Sequence, residues 1–110
     1  MTGKYELMTK NGKFHFHLKA GNGQVILTSQ VYHSKAAAKI GIESVKKNGG
    51  AADRYDRRQS KNDHPYFVLL AANKEIIGAS QMYSSKSSME NGIKSVRKNA
   101  AKATVVECEE

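Results

Sequence analysis

A serine, a tyrosine and a lysine, the side chains most suited to chemistry in this chain, occur together in two places. Ser29, Tyr32 and Lys35 form the first set. The second set lies 51 residues further on and consists of Ser80, Tyr83 and Lys86. A serine hydroxyl near a desolvated lysine can act as a nucleophile in acyl transfer. The serine nevertheless falls at the end of a predicted strand and the lysine in the first turn of a predicted helix. The pattern therefore favours structural roles, and we predict no catalytic residue and no enzyme activity.

Two histidines offer the nearest approach to a metal site. His15 and His17 are two residues apart, so on a strand their imidazoles project from the same face. The second copy of this stretch has Tyr66 and Val68 at these places, and no carboxylate or third histidine lies close by in the sequence. A single cysteine, Cys108, excludes an internal disulfide. We predict no metal and no cofactor.

Strands and tight turns precede the first Ser-Tyr-Lys set. Residues 5–9 predict a first strand, and Asn11-Gly12 supplies the positive φ angles of a hairpin turn. Residues 14–20 alternate apolar and polar side chains, which is typical of a half-buried antiparallel strand. A second turn at 21–23 leads to a returning strand over 24–29. These residues therefore predict three antiparallel strands before the first helix.

A helix follows Ser34 and ends at Asn48. Ser34 offers an N-cap oxygen, and the two glycines after Asn48 tolerate the left-handed conformation that closes a last turn. The apolar stripe has i, i+3, i+4, i+7 spacing and consists of Ala38, Gly41, Ile42 and Val45. A glycine inside a helix costs about 1 kcal/mol relative to alanine. Gly41 therefore predicts a close approach of the helix backbone to the sheet, with Tyr32 wedged in the turn before the helix.

The whole arrangement returns at an offset of 51 residues. In the first copy, the repeated framework consists of Ser29, Tyr32, Ser34, Gly41, Ile42, Val45 and Asn48. In the second copy it consists of Ser80, Tyr83, Ser85, Gly92, Ile93, Val96 and Asn99. Only one strand fits between the first helix and the second hairpin, and residues 53–59 match both the first strand and the last one. We therefore predict a single domain of two repeats, about 1–55 and 52–110, that share a central strand in one continuous sheet.

The paired pattern Asn-x-x-Val/Ile-Ile, Ser-Gln-x-Tyr-x-Ser-Lys and Gly-Ile-x-Ser-Val-x-Lys-Asn resembles the YegP-like family of uncharacterised bacterial proteins, in its duplicated form. The resemblance covers nearly the whole chain. It implies two β-β-β-α-β units with exchanged terminal strands and with both helices on one side of the sheet, and it implies no established activity. The predicted fold is α+β: tandem β-β-β-α-β repeats form one continuous antiparallel sheet with two helices packed on one face. A pseudo-two-fold axis relates the repeats, as in a homodimer fused into one chain, and we expect a monomer.

The chain is strongly basic. Eighteen Lys and Arg against ten Asp and Glu give a net charge of +8, which favours polyanionic partners by long-range attraction. Basic residues gather at equivalent helix ends and through the predicted central strand: Lys46, Lys47, Arg97, Lys98, Arg54, Arg57, Arg58 and Lys61. The first functional hypothesis is weak nucleic-acid binding by this surface, and the alternative is solvated surface charge.

The sheet face away from the helices differs between the two copies. Where the first copy has histidines and a lysine, the second has Tyr66, Val68 and Leu70. Together with Ile77 these residues predict an apolar half-face, which sheet curvature or the termini cover or a partner binds. The second functional hypothesis is therefore a protein-interaction module.

Location is indicated only by features that are missing from the sequence. No apolar run approaches the roughly 18 residues that would span a bilayer, and the N-terminus lacks the apolar core of a signal peptide. A lone cysteine is also unlike the disulfide frameworks of small secreted proteins. We predict a cytoplasmic bacterial protein with no membrane partner.

Overall fold

The computed structural model of the protein describes residues 3–109. The first half contains β1 (Lys4–Lys10), β2 (Lys13–Lys19), β3 (Val25–Thr28) and α1 (Lys35–Asn48). A 3-10 turn at Ala52–Arg54 leads into the second half, which contains β4 (Tyr55–Gln59), β5 (Pro65–Leu70), β6 (Ile76–Ala79), α2 (Lys86–Asn99) and β7 (Thr104–Glu109). The outermost ends of the predicted domain, at residues 1, 2 and 110, lie outside the described residues.

The seven strands form one sheet in the order β4-β5-β6-β3-β2-β1-β7. Each repeat contributes three antiparallel strands, and the two sets join where Thr28 of β3 pairs with Ala79 of β6. The continuous sheet, the α+β class and the tandem repeat are thus confirmed. β7, however, pairs with β1 in the parallel sense, so the prediction of an all-antiparallel sheet is wrong. The sheet is mixed because β7 returns from α2 and enters beside β1 in the same direction, which hairpin connections cannot achieve.

The strand predicted at the centre of the sheet lies instead at its edge. β4 pairs with β5 and is the structural counterpart of β1, since Tyr55 lies opposite Leu69 as Tyr5 lies opposite Leu18. The offset for this strand is 50 rather than 51, because the second hairpin is one residue longer than the first. The prediction that the strand shared by residues 1–55 and 52–110 is central is therefore wrong: β3 and β6 occupy the centre.

Each helix begins directly after a serine of the repeated framework. A capping box of Ser87 with Glu90 predicts a later start for α2, and this prediction is wrong because α2 begins at Lys86. Ser34 Oγ accepts a hydrogen bond from the backbone N–H of Ala37, and Ser85 Oγ accepts one from Ser88, both at 3.1 Å. The buried stripes are the predicted ones, and consist of Ala38, Gly41, Ile42 and Val45 in α1 and of Met89, Gly92, Ile93 and Val96 in α2. Neither helix of residues 3–109 is long and apolar enough to cross a membrane.

The end of α1 differs from the prediction. Gly49 has a φ of −62°, in the right-handed region, so the expected left-handed closing residue is wrong. A side chain at Gly49 would place its Cβ 2.5 Å from the Cβ of Ala100. Ala100 is the residue that ends α2. Gly49 is therefore needed for space, because the C-terminal ends of the two helices touch there.

One core serves both repeats. Phe16 and Phe67 are fully buried at equivalent places in β2 and β5, and the same apolar cluster includes Ile42 and Ile93 from the two helices. Burial of each such side chain stabilises the fold by roughly 1.5–3 kcal/mol. The helices lie over one face of the sheet, and each contacts strands of both repeats.

Candidate functional site

The serines of the two Ser-Tyr-Lys sets hold the backbone in place. Ser29 Oγ accepts a hydrogen bond from the N–H of Phe16 at 2.9 Å and donates one to the carbonyl of Gln30 at 2.7 Å. Ser80 makes the corresponding two bonds in the second repeat. Both hydroxyls thus fix the turn that leads from a strand to a helix, as the sequence indicates.

The lysines of these sets are on the surface. The side chain of Lys35 is 45% exposed, and its Nζ lies 2.7 Å from Oε1 of Glu107 on β7. This hydrogen bond lowers the pKa of the Glu107 carboxyl. An exposed lysine in an ion pair does not supply the neutral amine that serine activation needs. Lys35 and Glu107 instead connect α1 to β7.

The tyrosines wedge between strand and helix as predicted. The ring of Tyr32 stacks on Phe16 with centroids 6.2 Å apart, and its hydroxyl lies against Gly41, where a Cβ would collide with it. Tyr83 and Gly92 repeat the contact in the second copy. The interior glycine of each helix therefore makes room for a tyrosine.

The two histidines lie together on the face away from the helices. The rings of His15 and His17 have centroids 5.1 Å apart at an interplanar angle of 78°. Among residues 3–109, no group of three or more His, Cys, Asp or Glu side chains is placed to hold a metal ion. On the same face Glu6 binds Lys19 at 3.0 Å, so this part of the sheet is polar.

The eight basic residues of the nucleic-acid hypothesis separate into two groups. The helix-end cluster consists of Lys46, Lys47, Arg97 and Lys98, in the last turns of the two helices. Arg97 Nε donates to the carbonyl of Gly50 at 3.3 Å, and Lys46 Nζ lies 5.8 Å from the centre of the Tyr5 ring. Positive side chains at helix C-termini also interact favourably with the helix dipole, so part of this cluster has a structural role.

The other group, the β4 cluster, consists of Arg54, Arg57, Arg58 and Lys61. Arg57 binds Glu90 of α2 through two nitrogens, with Nε 2.5 Å from Oε2 and Nη2 2.9 Å from Oε1. This pairing lowers the pKa of Glu90 and raises the pKa of Arg57. Arg58 Nε lies 3.0 Å from Oδ2 of Asp56. Half of the β4 cluster is thus already neutralised by carboxylates of the same chain.

The apolar half-face predicted for protein binding is mostly covered. Val68 is 3% exposed and Ile77 is 8% exposed, so the expectation that these two residues form a surface is wrong. Ile77 belongs to the core beneath the helices, because a register shift in the β5–β6 ladder separates it from the open face. Tyr66 and Leu70 remain half-buried.

β1 and β4 are equivalent strands of the two repeats, but they have different surroundings. β7 lies beside β1, with Tyr5 opposite Val105 and Leu7 opposite Glu107. Among residues 3–109, β4 has a strand neighbour on one side only, which is β5. The place beyond β4 that corresponds to β7 is therefore open to solvent.

A groove runs between this open edge and α2. It has a volume of about 420 Å³ and is lined by Arg57, Arg58, Gln59, Pro65, Lys86, Met89 and Glu90. The corresponding region of the first repeat lies between α1 and β7 and is lined by Lys39, Ile42, Glu43, Val105 and Glu107. In the first repeat a strand forms one wall, whereas in the second repeat that wall is missing from the described residues.

The sequence matches the family model described as "Domain of unknown function (DUF1508)" twice, over residues 9–56 and 60–107. The chain belongs to the DUF1508 family. The resemblance to the YegP-like family is also confirmed, since the UPF0339 protein YegP of Escherichia coli O157:H7 is 48% identical over 106 residues, with 96% of each chain covered. A UPF0339 protein of Acinetobacter baylyi is 52% identical, again with 96% of each chain covered.

Two solved structures share the DUF1508 fold seen here. The solution NMR structure of a UPF0339 protein from Shewanella oneidensis has a TM-score of 0.91 at 51% identity, and covers 99% of this chain and 93% of that one. The solution NMR structure of YegP from E. coli, described as a protein of unknown function, has a TM-score of 0.92 at 45% identity, and covers 99% of this chain and 95% of that one. Neither name assigns a ligand or a reaction.

The sequence indicates Lys86 only as part of a Ser-Tyr-Lys set, and sequence reasoning missed the open edge that Lys86 and Glu90 face. The signal was present, because only one strand separates the two DUF1508 repeats where two copies of the unit need two. The first family match ends within β4 and the second within β7. One strand therefore takes the place of two, and the consequence is a position beside it that no other strand of the described residues fills.

Proposed function

We propose that this protein is a non-enzymatic binding module that holds an extended segment of another protein at the open edge of β4. An edge strand presents unpaired N–H and C=O groups at every second residue, and an added strand can bond to them. The observation that carries the proposal is the contrast between β1, which β7 covers, and its counterpart β4, which no strand of residues 3–109 covers.

The contacts of the side chains best suited to chemistry are structural, which supports a binding role. Both repeat serines bond to backbone groups, and Lys35 is paired with Glu107. Two of the residues that sequence reasoning assigns to a partner surface, Val68 and Ile77, are buried. The edge of β4 is therefore a better candidate than that surface.

Charged residues on an edge strand can also serve to prevent aggregation, a role that requires no ligand. A selection experiment separates the two roles. A random peptide library displayed on phage is passed over the immobilised protein, and enriched peptides are titrated into ¹⁵N-labelled protein. We expect chemical-shift changes and slower amide exchange in β4. Failure to enrich any peptide, or shifts confined to β7 at the opposite edge, would reject the proposal.

The helix-end cluster supports a second candidate, polyanion binding. The two helix C-termini meet at Gly49 and Ala100, which brings the last turns of both helices to one region of the surface. Lys47 and Lys98 are exposed there. If nucleic acid is the ligand, affinity for a mixed DNA or RNA pool falls steeply with salt and falls further in Lys47→Glu with Lys98→Glu. Absence of binding at low salt rejects this candidate.

A further inference from the structure

The position of β7 beside β1 shows how an added strand could bind beside β4. β7 runs parallel to β1, and Glu107 of β7 lies opposite Leu7. Its carboxylate is directed to the helix side, where Oε1 lies 2.7 Å from Nζ of Lys35 and Oε2 lies 3.7 Å from Nζ of Lys39. An acidic residue two positions after a β-branched one, Val105, thus connects an added strand to the start of a helix.

The second repeat has residues that correspond to Lys35 and Leu7, but no strand of the described residues lies beside them as β7 lies beside β1. Lys86 begins α2 as Lys35 begins α1, and it lines the groove beside β4. Within the described part of the chain, Lys86 has no carboxylate within ion-pair distance. The structural counterpart of Leu7 is Arg57, which is bound to Glu90.

Resting on the proposed function above, we infer that the bound segment runs parallel to β4 and carries a glutamate or aspartate opposite Arg57, where it pairs with Lys86. The position two residues earlier, opposite Tyr55, takes a β-branched side chain, as Val105 does opposite Tyr5. The partner is therefore an acidic extended segment of another protein.

The charges of the groove favour an acid over other side chains. Lys86 and Arg57 both line the groove, against the single carboxylate of Glu90, which Arg57 already holds. A second copy of this chain fits less well. Antiparallel pairing of two β4 strands about Arg57 would set two guanidinium groups directly opposite each other, which is destabilising.

The test uses a probe taken from the chain itself. The synthetic peptide has the sequence of residues 103–109 with Cys108→Ser, and it is titrated into the ¹⁵N-labelled full-length protein. We expect shifts in β4 and in the first turn of α2. A spin label on the peptide N-terminus should broaden the amide signal of Tyr55 more than that of Gln59, because parallel pairing places the peptide N-terminus beside Tyr55.

Variants then test the ion pair. Lys86→Glu should weaken binding about fivefold, the size expected for an exposed ion pair, and a peptide with lysine in place of Glu107 should recover the loss on that variant. Lys102→Glu, an equal charge change at an exposed residue beyond the other end of α2, should leave the affinity of this peptide unchanged.

The outcomes separate the inference from the proposed function. Library peptides that bind β4 antiparallel, or that bind equally well to Lys86→Glu, would overturn the inference and leave the function standing. The inference also fails if the probe does not bind while library peptides do, or if it only displaces β7 from β1. If neither probe nor library peptides bind at β4, or if the protein instead dimerises through this edge, the proposed function fails as well.

Discussion

The hydroxyl of Tyr5 donates a 2.5 Å hydrogen bond to the carbonyl of Ala100, 95 residues further along the chain. Tyr55 makes the corresponding bond to the carbonyl of Gly49, at 2.6 Å. In each case the tyrosine belongs to one repeat and the carbonyl ends the helix of the other. The two bonds therefore join the repeats across their boundary and satisfy carbonyls that a helix end leaves without an intrahelical partner.

Replacement of either tyrosine by phenylalanine should destabilise the whole fold. Tyr5→Phe removes the donor and leaves a buried carbonyl unsatisfied, which costs about 1–3 kcal/mol. Tyr55→Phe should have a similar effect, because the contact is repeated. Urea denaturation followed by circular dichroism measures both. Tyr66→Phe, at a half-buried site on the other face, is the control and should change the free energy of unfolding by less than about 0.5 kcal/mol. Equal effects of all three substitutions would contradict the assigned role.

The same tyrosines predict loss of stability in alkali. Burial raises the pKa of both Tyr5 and Tyr55 above the ordinary value of 10. Above pH 10 the unfolded chain therefore releases phenolic protons that the folded chain retains, and the free energy of unfolding must fall as pH rises. Urea midpoints between pH 8 and 11 should show this decline. The slope should be shallower in the double variant Tyr5→Phe with Tyr55→Phe, and an unchanged slope would show that other groups cause the decline.

Gly41 should resist replacement by alanine although it lies inside a helix. Alanine improves helix propensity by about 1 kcal/mol, but its methyl group would collide with the Tyr32 hydroxyl and lie 3.0 Å from a ring carbon of Phe16. We expect a net loss of about 1–3 kcal/mol from overpacking. The loss should shrink when Tyr32→Phe is added, because part of the collision is with the hydroxyl.

A matched control for this substitution is Gly50→Ala. Apart from Gly50 itself and the two adjacent residues, no described heavy atom lies within 4 Å of a Cβ built at Gly50, so the change in the free energy of unfolding should stay within about 0.5 kcal/mol. If Gly41→Ala is as mild as the control, the glycine is not needed to admit the tyrosine. Additive effects of Gly41→Ala and Tyr32→Phe would lead to the same conclusion, since contacting residues should couple.

Local patterns predicted the elements well, and the arrangement of the strands less well. Side chains within one or two helical turns determine the caps at Ser34 and Ser85 and the buried stripes. These features can therefore be predicted from the local sequence. The edge position of β4 depends on which strands meet at the centre, and that depends on long-range packing of both repeats. The burial of Val68 could not be predicted for the same reason, because its neighbours in the sheet, Asp56 and Ala79, are set by the pairing of β5 with β4 and β6.

At Lys74 the second repeat places a non-glycine residue in a left-handed backbone conformation that a glycine adopts in the first repeat. The φ of Lys74 is +70°, and the equivalent Gly23 has a φ of +86°. The two turns share the same hydrogen bonds, with Lys74 N–H donating to Ala71 and Gly23 N–H donating to Ala20, both at 2.9 Å. A left-handed conformation costs a non-glycine residue roughly 1–2 kcal/mol. The greater flexibility of glycine in the unfolded chain offsets part of that cost.

Lys74→Gly should therefore stabilise the protein by about 0.5–1 kcal/mol, and Gly23→Lys should destabilise it by a similar or larger amount. Thermal and urea unfolding of the two variants beside the parent chain measure both effects. Because the side chain of Lys74 is exposed, little packing is lost when it is removed. A destabilised Lys74→Gly variant would show that the backbone strain is smaller than the entropy that glycine adds to the unfolded state.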